Sequence, residues 1–246
     1  AQHRVNRVAR LLKDLKINLP IFEEQQKIAG FLSTVDEWIE NLKEQKENLE
    51  LYKKGMMQKI FSQEIRFKDE NRKEFPEWEE KFFIDILNPV NFAKNYQVKN
   101  SEILMYGKYK VVDQGFALVS GYSNDDAKVF KDIPVIIFGD HTTVLKYIDF
   151  EFIVGADGTK ILTSDKAGNN DLKFLYYVLR ANSVKAEGYK RHYSILKEKK
   201  FLVCSLPEQK KIADFLTSLD KRVESKQQQI DLVTQWKKSL MQKMFV

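Results

Sequence analysis

The chain has 246 residues, of which 43% are hydrophobic and 31% are charged, and its formal net charge is +6 at pH 7. These totals describe a globular protein with an extended helical part, and the mild positive charge permits nucleic-acid binding. No apolar run reaches the length of a membrane span, no N-terminal signal pattern is present, and the single cysteine excludes an internal disulfide. We therefore expect a cytoplasmic protein.

Residues 1–22 are interpreted as the tail of a preceding domain. The stretch 4–20 loosely parallels the stretch 191–207, and Leu19-Pro20 matches Leu206-Pro207. In both places we expect a basic segment and a short strand that ends in Leu-Pro. Proline is expected to end the strand, because it fits poorly inside the helix that follows.

A long helical segment then occurs twice, over residues 24–61 and 208–245. The two copies align without a gap at an offset of 184 residues, and 16 of 38 aligned positions are identical. Each copy has apolar residues at 8 of 10 positions in a 4-3-4-3 spacing, which is typical of a coiled coil. The predicted seam includes Ile28, Leu32, Val35, Ile39, Leu49, Ile212, Leu216, Leu219, Val223 and Val233.

The two helices are predicted to pair antiparallel within one chain. The segment between them forms a compact domain whose ends lie close together, so the second helix runs back along the first. Lys53 and Lys237 interrupt the two seams at equivalent positions, as expected for a pseudo-twofold relation. In the alternative interpretation, each helix packs separately on a globular domain.

The middle block, residues 64–205, is predicted to be a compact mixed α/β domain. It opens with a linker and a short helix over 78–86, and a helix capped by Asn170 or Asp171 is expected over 171–181. Short β-rich runs punctuated by Gly, Asn and Asp are predicted as strands over 108–112, 135–138, 144–148, 152–154 and 160–162. With the long helices placed over 23–63 and 206–246, the predicted fold class is α+β.

Polar and basic side chains gather in loops of this block, where donors and acceptors can reach phosphates and base edges. The predicted DNA-contacting residues are Lys108, Lys110, Asp140, His141, Thr142, Thr143, Lys146, Thr159, Lys160, Tyr189, Lys190, Arg191, His192 and Tyr193. Structural alternatives remain open. Asp140 and Asp157 are also typical of turns, the tyrosines of a core, and the basic cluster over 185–200 of a solvated face.

The segments LPIFEEQQKIAGFLSTVD and SLPEQKKIADFLTSLD, each followed by a helix closing in MMQKIF or LMQKMF, carry a family resemblance. They resemble the specificity (S) subunits of type I restriction–modification systems. A full member of that family has two target-recognition domains alternating with two conserved helical regions. This chain has the tail of one recognition domain, a helix, a second recognition domain and a last helix. It is therefore similar to the C-terminal half of such a subunit, or to a half-subunit.

The resemblance implies a non-catalytic protein with no cofactor of its own. It implies that the chain binds double-stranded DNA and holds methyltransferase (M) subunits, onto which restriction (R) subunits dock. Each recognition domain would read one half of a bipartite site, with the helices as a ruler between the halves. A homodimer that restores a two-domain layout is a further expectation.

Enzyme motifs are sparse in the sequence. Asn88-Pro89-Val90 lacks the second proline of an amino-methyltransferase motif, and Glu198-Lys199-Lys200 fits a nuclease Glu-x-Lys no better than Glu44-Gln45-Lys46 does. The three histidines are too far apart in sequence to suggest a metal site, so we predict no catalysis and no metal. Two alternatives remain: the specificity part of a fused restriction–methylation enzyme, and a coiled-coil adaptor whose middle domain binds protein.

Overall fold

A computed structural model describes residues 19–92, 96–155, 158–165, 168–183 and 191–244. The chain divides into two compact units, one of residues 1–49 and 223–246 and one of residues 50–222. In chain order the elements are α1 (Phe22–Phe61), β1 (Glu79–Phe82), α2 (Phe83–Ile86), β2 (Leu87–Val90), β3 (Tyr109–Val112), β4 (Gly121–Ser123), β5 (Val129–Phe130), β6 (Val135–Gly139), β7 (Leu145–Ile148), β8 (Phe152–Val154), β9 (Thr159–Ser164), α3 (Leu172–Ala181), α4 (His192–Glu198), β10 (Lys200–Val203) and α5 (Leu206–Met244). Short 3₁₀ turns occupy Asn100–Glu102 and Asp126–Lys128.

In the first unit, α1 and α5 pack through a heptad seam. Val35, Ile39 and Leu42 of α1 form one buried cluster with two residues of α5, Ile230 and Val233. An ion pair joins Asp36 to Lys237, next to an edge-on contact of Phe31 with Trp236 at 6.0 Å between ring centroids. The early part of α1 thus lies against the late part of α5, as antiparallel pairing requires.

In the second unit, Lys53 of α1 pairs with Asp220 of α5, and Tyr177 donates a 2.6 Å hydrogen bond to the same carboxylate. The sequence repeat relates Lys53 to Lys237 and Asp36 to Asp220, so the two ion pairs are copies of each other. All positions of both seams are buried or half-buried. The predicted α+β class, with an antiparallel helix pair, is confirmed.

Burying the Lys53 ammonium is unfavourable, whereas its partner Asp220 is 39% exposed and keeps its hydrogen bond from Tyr177 when Lys53 is replaced. Because no buried carboxylate is left unpaired, we expect Lys53→Met to be neutral or to raise the free energy of unfolding by about 1 kcal/mol at pH 7. Burial lowers the pKa of Lys53 despite the opposing pull of Asp220. Between that lowered value and the ordinary 10.5, the unfolded chain binds more protons than the folded one, so stability rises with pH. Urea unfolding at pH 7 and pH 10 should show that rise in the wild type and a smaller one in the variant. The exposed neighbour Lys54→Met is the control, and a loss of more than 1 kcal/mol in Lys53→Met contradicts the expectation.

The two long helices begin with the same hydrogen bond. The Gln25 side chain donates to the Pro20 carbonyl at 2.7 Å, and the Gln209 side chain donates to the Cys204 carbonyl at 2.8 Å.

The prediction that the second proline ends a strand is wrong, because β10 ends at Val203 and Pro207 lies in the first turn of α5. Proline is tolerated there, since its missing N–H would have no intrahelical acceptor.

Two four-stranded sheets form the middle of the second unit. One has the strand order β2-β9-β6-β7 with antiparallel neighbours, and the other has the order β4-β3-β8-β5 with β3 and β8 parallel. Strand β6 is buried on both faces: Ile136 and Phe138 join a core with the helices, and Val135 and Ile137 join a core with the second sheet. This alternation explains why its sequence is an unbroken apolar run.

Helix α3 confirms one sequence prediction and the region before β2 corrects another. Asp171 caps α3 by accepting a 2.8 Å hydrogen bond from the Phe174 N–H. The helix predicted over 78–86 is wrong for its first part, because Glu79–Phe82 pairs antiparallel with Lys200–Val203 and only α2 is helical. A long-range ladder of this kind leaves no signal in local spacing. The domain boundaries at residues 63 and 205 stay a prediction.

None of the helices within the described residues combines the length and the apolar character needed to cross a membrane.

Candidate nucleic-acid interface

The turn between β6 and β7 is a hairpin that joins two antiparallel strands. Gly139 donates to the Val144 carbonyl at 2.9 Å, and Thr143 donates back to the Gly139 carbonyl at 2.8 Å. Thr143 has a φ of 58°, a left-handed conformation that few non-glycine residues adopt. The turn therefore presents Asp140, His141 and Thr142 in one fixed arrangement.

Asp140 joins this hairpin to two other segments. Its N–H donates to the Gly158 carbonyl at 2.8 Å, which ties the hairpin to the turn before β9. Its carbonyl accepts from the His192 N–H at 2.8 Å, and its carboxylate accepts from the Tyr193 N–H at 2.9 Å. A carboxylate in the first turn of a helix satisfies a free N–H group and complements the helix dipole. Asp140 thus fixes the start of α4 against the hairpin.

A fourth segment, residues 113–118 (the Phe116 loop), lies against the same hairpin. The side-chain oxygen of Gln114 accepts from the His141 N–H at 3.1 Å, and its carbonyl accepts from the Thr142 hydroxyl at 2.6 Å. The approach requires Gly139, since an added Cβ would lie 2.1 Å from the Thr142 hydroxyl oxygen and 3.0 Å from the Gln114 Cβ. Packing between the two loops thus depends on a glycine.

The buried Lys146 side chain binds the backbone of the Phe116 loop. Its ammonium donates to the carbonyls of Asp113, at 2.7 Å, and Ala117, and an oxygen of the Asp113 carboxylate lies 3.7 Å away. Burial lowers the pKa of Lys146, and Asp113 acts in the opposite direction. Lys146 is one of the residues predicted to contact DNA, and its side chain, 3% exposed, holds a loop in this structure.

Most of the predicted residues lie on these joined segments. They fall into two groups, one buried and one accessible to solvent. Four are buried and make internal contacts: Asp140, Lys146, Thr159 and His192. Six are exposed or half-buried, and we call them the recognition surface: His141, Thr142, Thr143, Lys160, Arg191 and Tyr193. The buried residues make contacts within the protein, and the predicted contacts with DNA stay a prediction for all ten.

The remaining predicted residues lie elsewhere. Lys108 forms an exposed ion pair with Asp126, and the Lys110 ammonium lies 4.2 Å from the centroid of the Phe150 ring. Neither is joined by a described bond to the hairpin. Tyr189 and Lys190, with Asp157, fall outside the described residues.

Tyr193 has a mixed role on the recognition surface. Its ring centroid lies 6.0 Å from that of Phe83 and 6.2 Å from that of Phe138. The Lys160 ammonium lies 5.6 Å from the same centroid. Burial raises the pKa of the Tyr193 phenol, and the Asp140 carboxylate adds to the effect. Tyr193 therefore stays a neutral phenol at physiological pH, and its ring makes a cation–π contact with Lys160.

The recognition surface offers an imidazole, two hydroxyls, an ammonium and a guanidinium within linked segments. Such groups suit both phosphate oxygens and base edges. The described residues contain no cluster of His, Cys, Asp and Glu able to hold a metal ion. Sequence reasoning missed Gln114 and Phe116, although the Asp113-x-Gly115 pattern is a turn signal that marks their loop.

Comparisons with known proteins place this geometry in context. A family model described as "Type I restriction modification DNA specificity domain" matches residues 6–51 and 76–235. The MjaVIII specificity subunit of Methanocaldococcus jannaschii is 29% identical over an alignment 267 residues long, gaps included. The alignment covers 94% of this chain and 61% of that protein. The putative MjaX specificity subunit of the same organism is 27% identical, with coverage of 94% and 58%. The chain thus spans about three fifths of the length of these curated relatives.

The likeness extends to solved structures. The S subunit of a type I restriction–modification system from M. genitalium superposes with a TM-score of 0.68 at 19% identity. The match covers 92% of this chain and 61% of that one. At this identity the likeness establishes the fold.

Proposed function

Since the chain belongs to the type I restriction–modification DNA specificity family, we propose that it is a DNA-recognition subunit, or half of one. Its middle block binds duplex DNA and reads one half of a bipartite site. The observation that carries this proposal is the recognition surface, where four segments meet and six polar side chains remain exposed or half-buried. Buried Asp140 and Lys146 fix those segments, so base contacts are presented without a large ordering cost.

The long helices have a different role in this proposal. Their outer faces are rich in Lys, Glu and Gln, and their paired seams make a stiff spacer. They hold methyltransferase subunits and, through them, restriction subunits, so that catalysis resides in those partners. Two copies of the chain pairing with each other would supply a second recognition domain and a symmetric bipartite site.

Arg191 is expected to contact a phosphate, because it is exposed at the N-terminus of α4 beside His192 and Tyr193. Arg191→Ala should weaken binding to all duplexes about equally and lower the slope of log K against log salt by about one unit. His141→Ala, by contrast, should change sequence preference, with a base contact worth about 1–3 kcal/mol. Fluorescence anisotropy with a randomised duplex pool and with its most enriched members measures both effects.

Lys68→Ala supplies the control for charge, since Lys68 is also exposed but pairs with Glu74 on the linker after α1. It should leave the salt slope within experimental error of the wild-type value. If the wild-type chain binds no duplex at 50 mM salt, or if Arg191→Ala behaves like Lys68→Ala, the recognition surface does not contact DNA.

A further inference from the structure

Phe116 is displayed to solvent in a way that the core does not explain. Its side chain is 87% exposed, the largest fraction among the large apolar side chains of the described residues. A phenyl ring in that position gains almost nothing from folding, because the hydrophobic contribution scales with the area removed from water. Single exposed apolar residues are ordinary on protein surfaces, so exposure alone implies no role.

The loop that carries Phe116 is held rigidly. The Lys146 ammonium binds the carbonyls of Asp113 and Ala117, which flank Phe116 in the sequence, and the Gly115 N–H donates to the Asp113 carboxylate at 2.8 Å. Burying a lysine ammonium is unfavourable, and here its described hydrogen bonds go to loop carbonyls. The backbone that carries the ring is therefore held in place by these bonds.

The Phe116 loop is also continuous with the recognition surface. Gln114, two residues before the ring, accepts hydrogen bonds from His141 and Thr142 of the hairpin. The Gln114 side chain also packs closely on the turn before β9, since a Cβ at Gly158 would lie 2.6 Å from its amide nitrogen. An exposed apolar ring is thus carried by a loop that bonds directly to the hairpin of the recognition surface.

We propose that Phe116 is a wedge that inserts between neighbouring base pairs when the recognition surface binds DNA. The inference rests on the proposed function and assigns a specificity-determining residue within it. Apolar side chains that enter a base step unstack it, and the ring regains contact area by stacking on the exposed bases. The cost of opening the step depends on its sequence, so the wedge favours the flexible pyrimidine–purine steps TA and CA. Sequence preference thereby arises without a hydrogen bond to the base.

The test uses the duplex most enriched by the wild-type chain from a randomised pool. Adenines across that duplex are replaced one at a time by 2-aminopurine, whose fluorescence rises when the base is unstacked. The wild-type chain should raise the fluorescence several-fold at one step. Phe116→Ala should abolish that rise and weaken binding by roughly 10-fold to 100-fold. Phe116→Trp should keep the fluorescence rise and the wild-type affinity, because its ring can also stack on bases.

Ile84→Ala is the matched control, because Ile84 is an exposed apolar residue, 64% exposed, outside these loops. It should change neither fluorescence nor affinity, and circular dichroism checks that each variant is folded. If the wild-type chain binds its duplex with no fluorescence rise at any position, or if Phe116→Ala retains the rise, the wedge is refuted while the proposed function stands. If the pool yields no bound duplex, the proposed function itself fails, and the wedge fails with it.

Discussion

Arg66→Ala should lower the free energy of unfolding by about 3–5 kcal/mol, because it leaves the Glu208 carboxylate buried without its cation. Glu208 lies in the first turn of α5 with its side chain fully buried, and the Arg66 guanidinium contacts its two oxygens at 3.0 Å and 3.3 Å. Arg66 also donates to the carbonyls of Phe75 and Pro76, at 3.1 Å and 2.6 Å. One side chain thus ties the linker after α1 to the start of α5.

Urea unfolding followed by circular dichroism measures the effect. The double variant Arg66→Ala with Glu208→Gln should recover part of the loss, since it removes the unpaired charge and leaves a neutral amide. Lys200→Ala is the control: its ion pair with Glu80 is exposed at both ends, so its loss should cost less than about 1 kcal/mol. Equal losses for Arg66→Ala and Lys200→Ala would contradict the assignment of a buried ion pair.

Gly139→Ala is expected to disrupt the recognition surface and to cost about 1–3 kcal/mol of unfolding free energy through overpacking. The new methyl group would meet the Thr142 hydroxyl, the Gln114 Cβ and, at 3.1 Å, the Gln114 carbonyl oxygen. The contact with Gln114 involves backbone, so a change of rotamer cannot relieve it. The hairpin and the Phe116 loop must therefore separate, and DNA binding should lose its sequence preference.

The measurement compares affinity for the most enriched duplex with affinity for a scrambled one. Gly55→Ala is the control within α1, where an added Cβ meets no atom within 4 Å. That substitution should raise the free energy of unfolding by about 0.5–1 kcal/mol, since alanine loses less conformational freedom in a helix. Retained sequence preference in Gly139→Ala would show that the packing of the two loops is not required for recognition.

The sequence predicted the parts of the fold that have a local period or a repeat. The heptad spacing and the 184-residue offset located α1 and α5, and Asp171 before an apolar run located α3. Strand β1 was not predictable in the same way, because its charged residues are held by pairing with a strand about 120 residues away. Local propensity is a weak guide where long-range pairing decides the structure.

The candidate site was predicted in location more than in detail. Polar residue types alone cannot separate His141, which is half-buried, from His192, which is fully buried. Burial depends on contacts between segments more than 50 residues apart, such as the one between Asp140 and His192. Phe116 was missed for a related reason: apolar character predicts a core position, and only the structure places this ring in solvent.

The burial of Cys204 has a practical consequence for experiments on this chain. It is the single cysteine of the sequence, it is 5% exposed, and burial raises the pKa of its thiol well above the ordinary value. Alkylation requires the thiolate to attack an electrophilic reagent, so in the native protein we expect it to be slow until the segment between β10 and α5 opens. The rate of alkylation therefore measures how often this segment opens. Fluorophores can also be attached to introduced surface cysteines without removing the natural one.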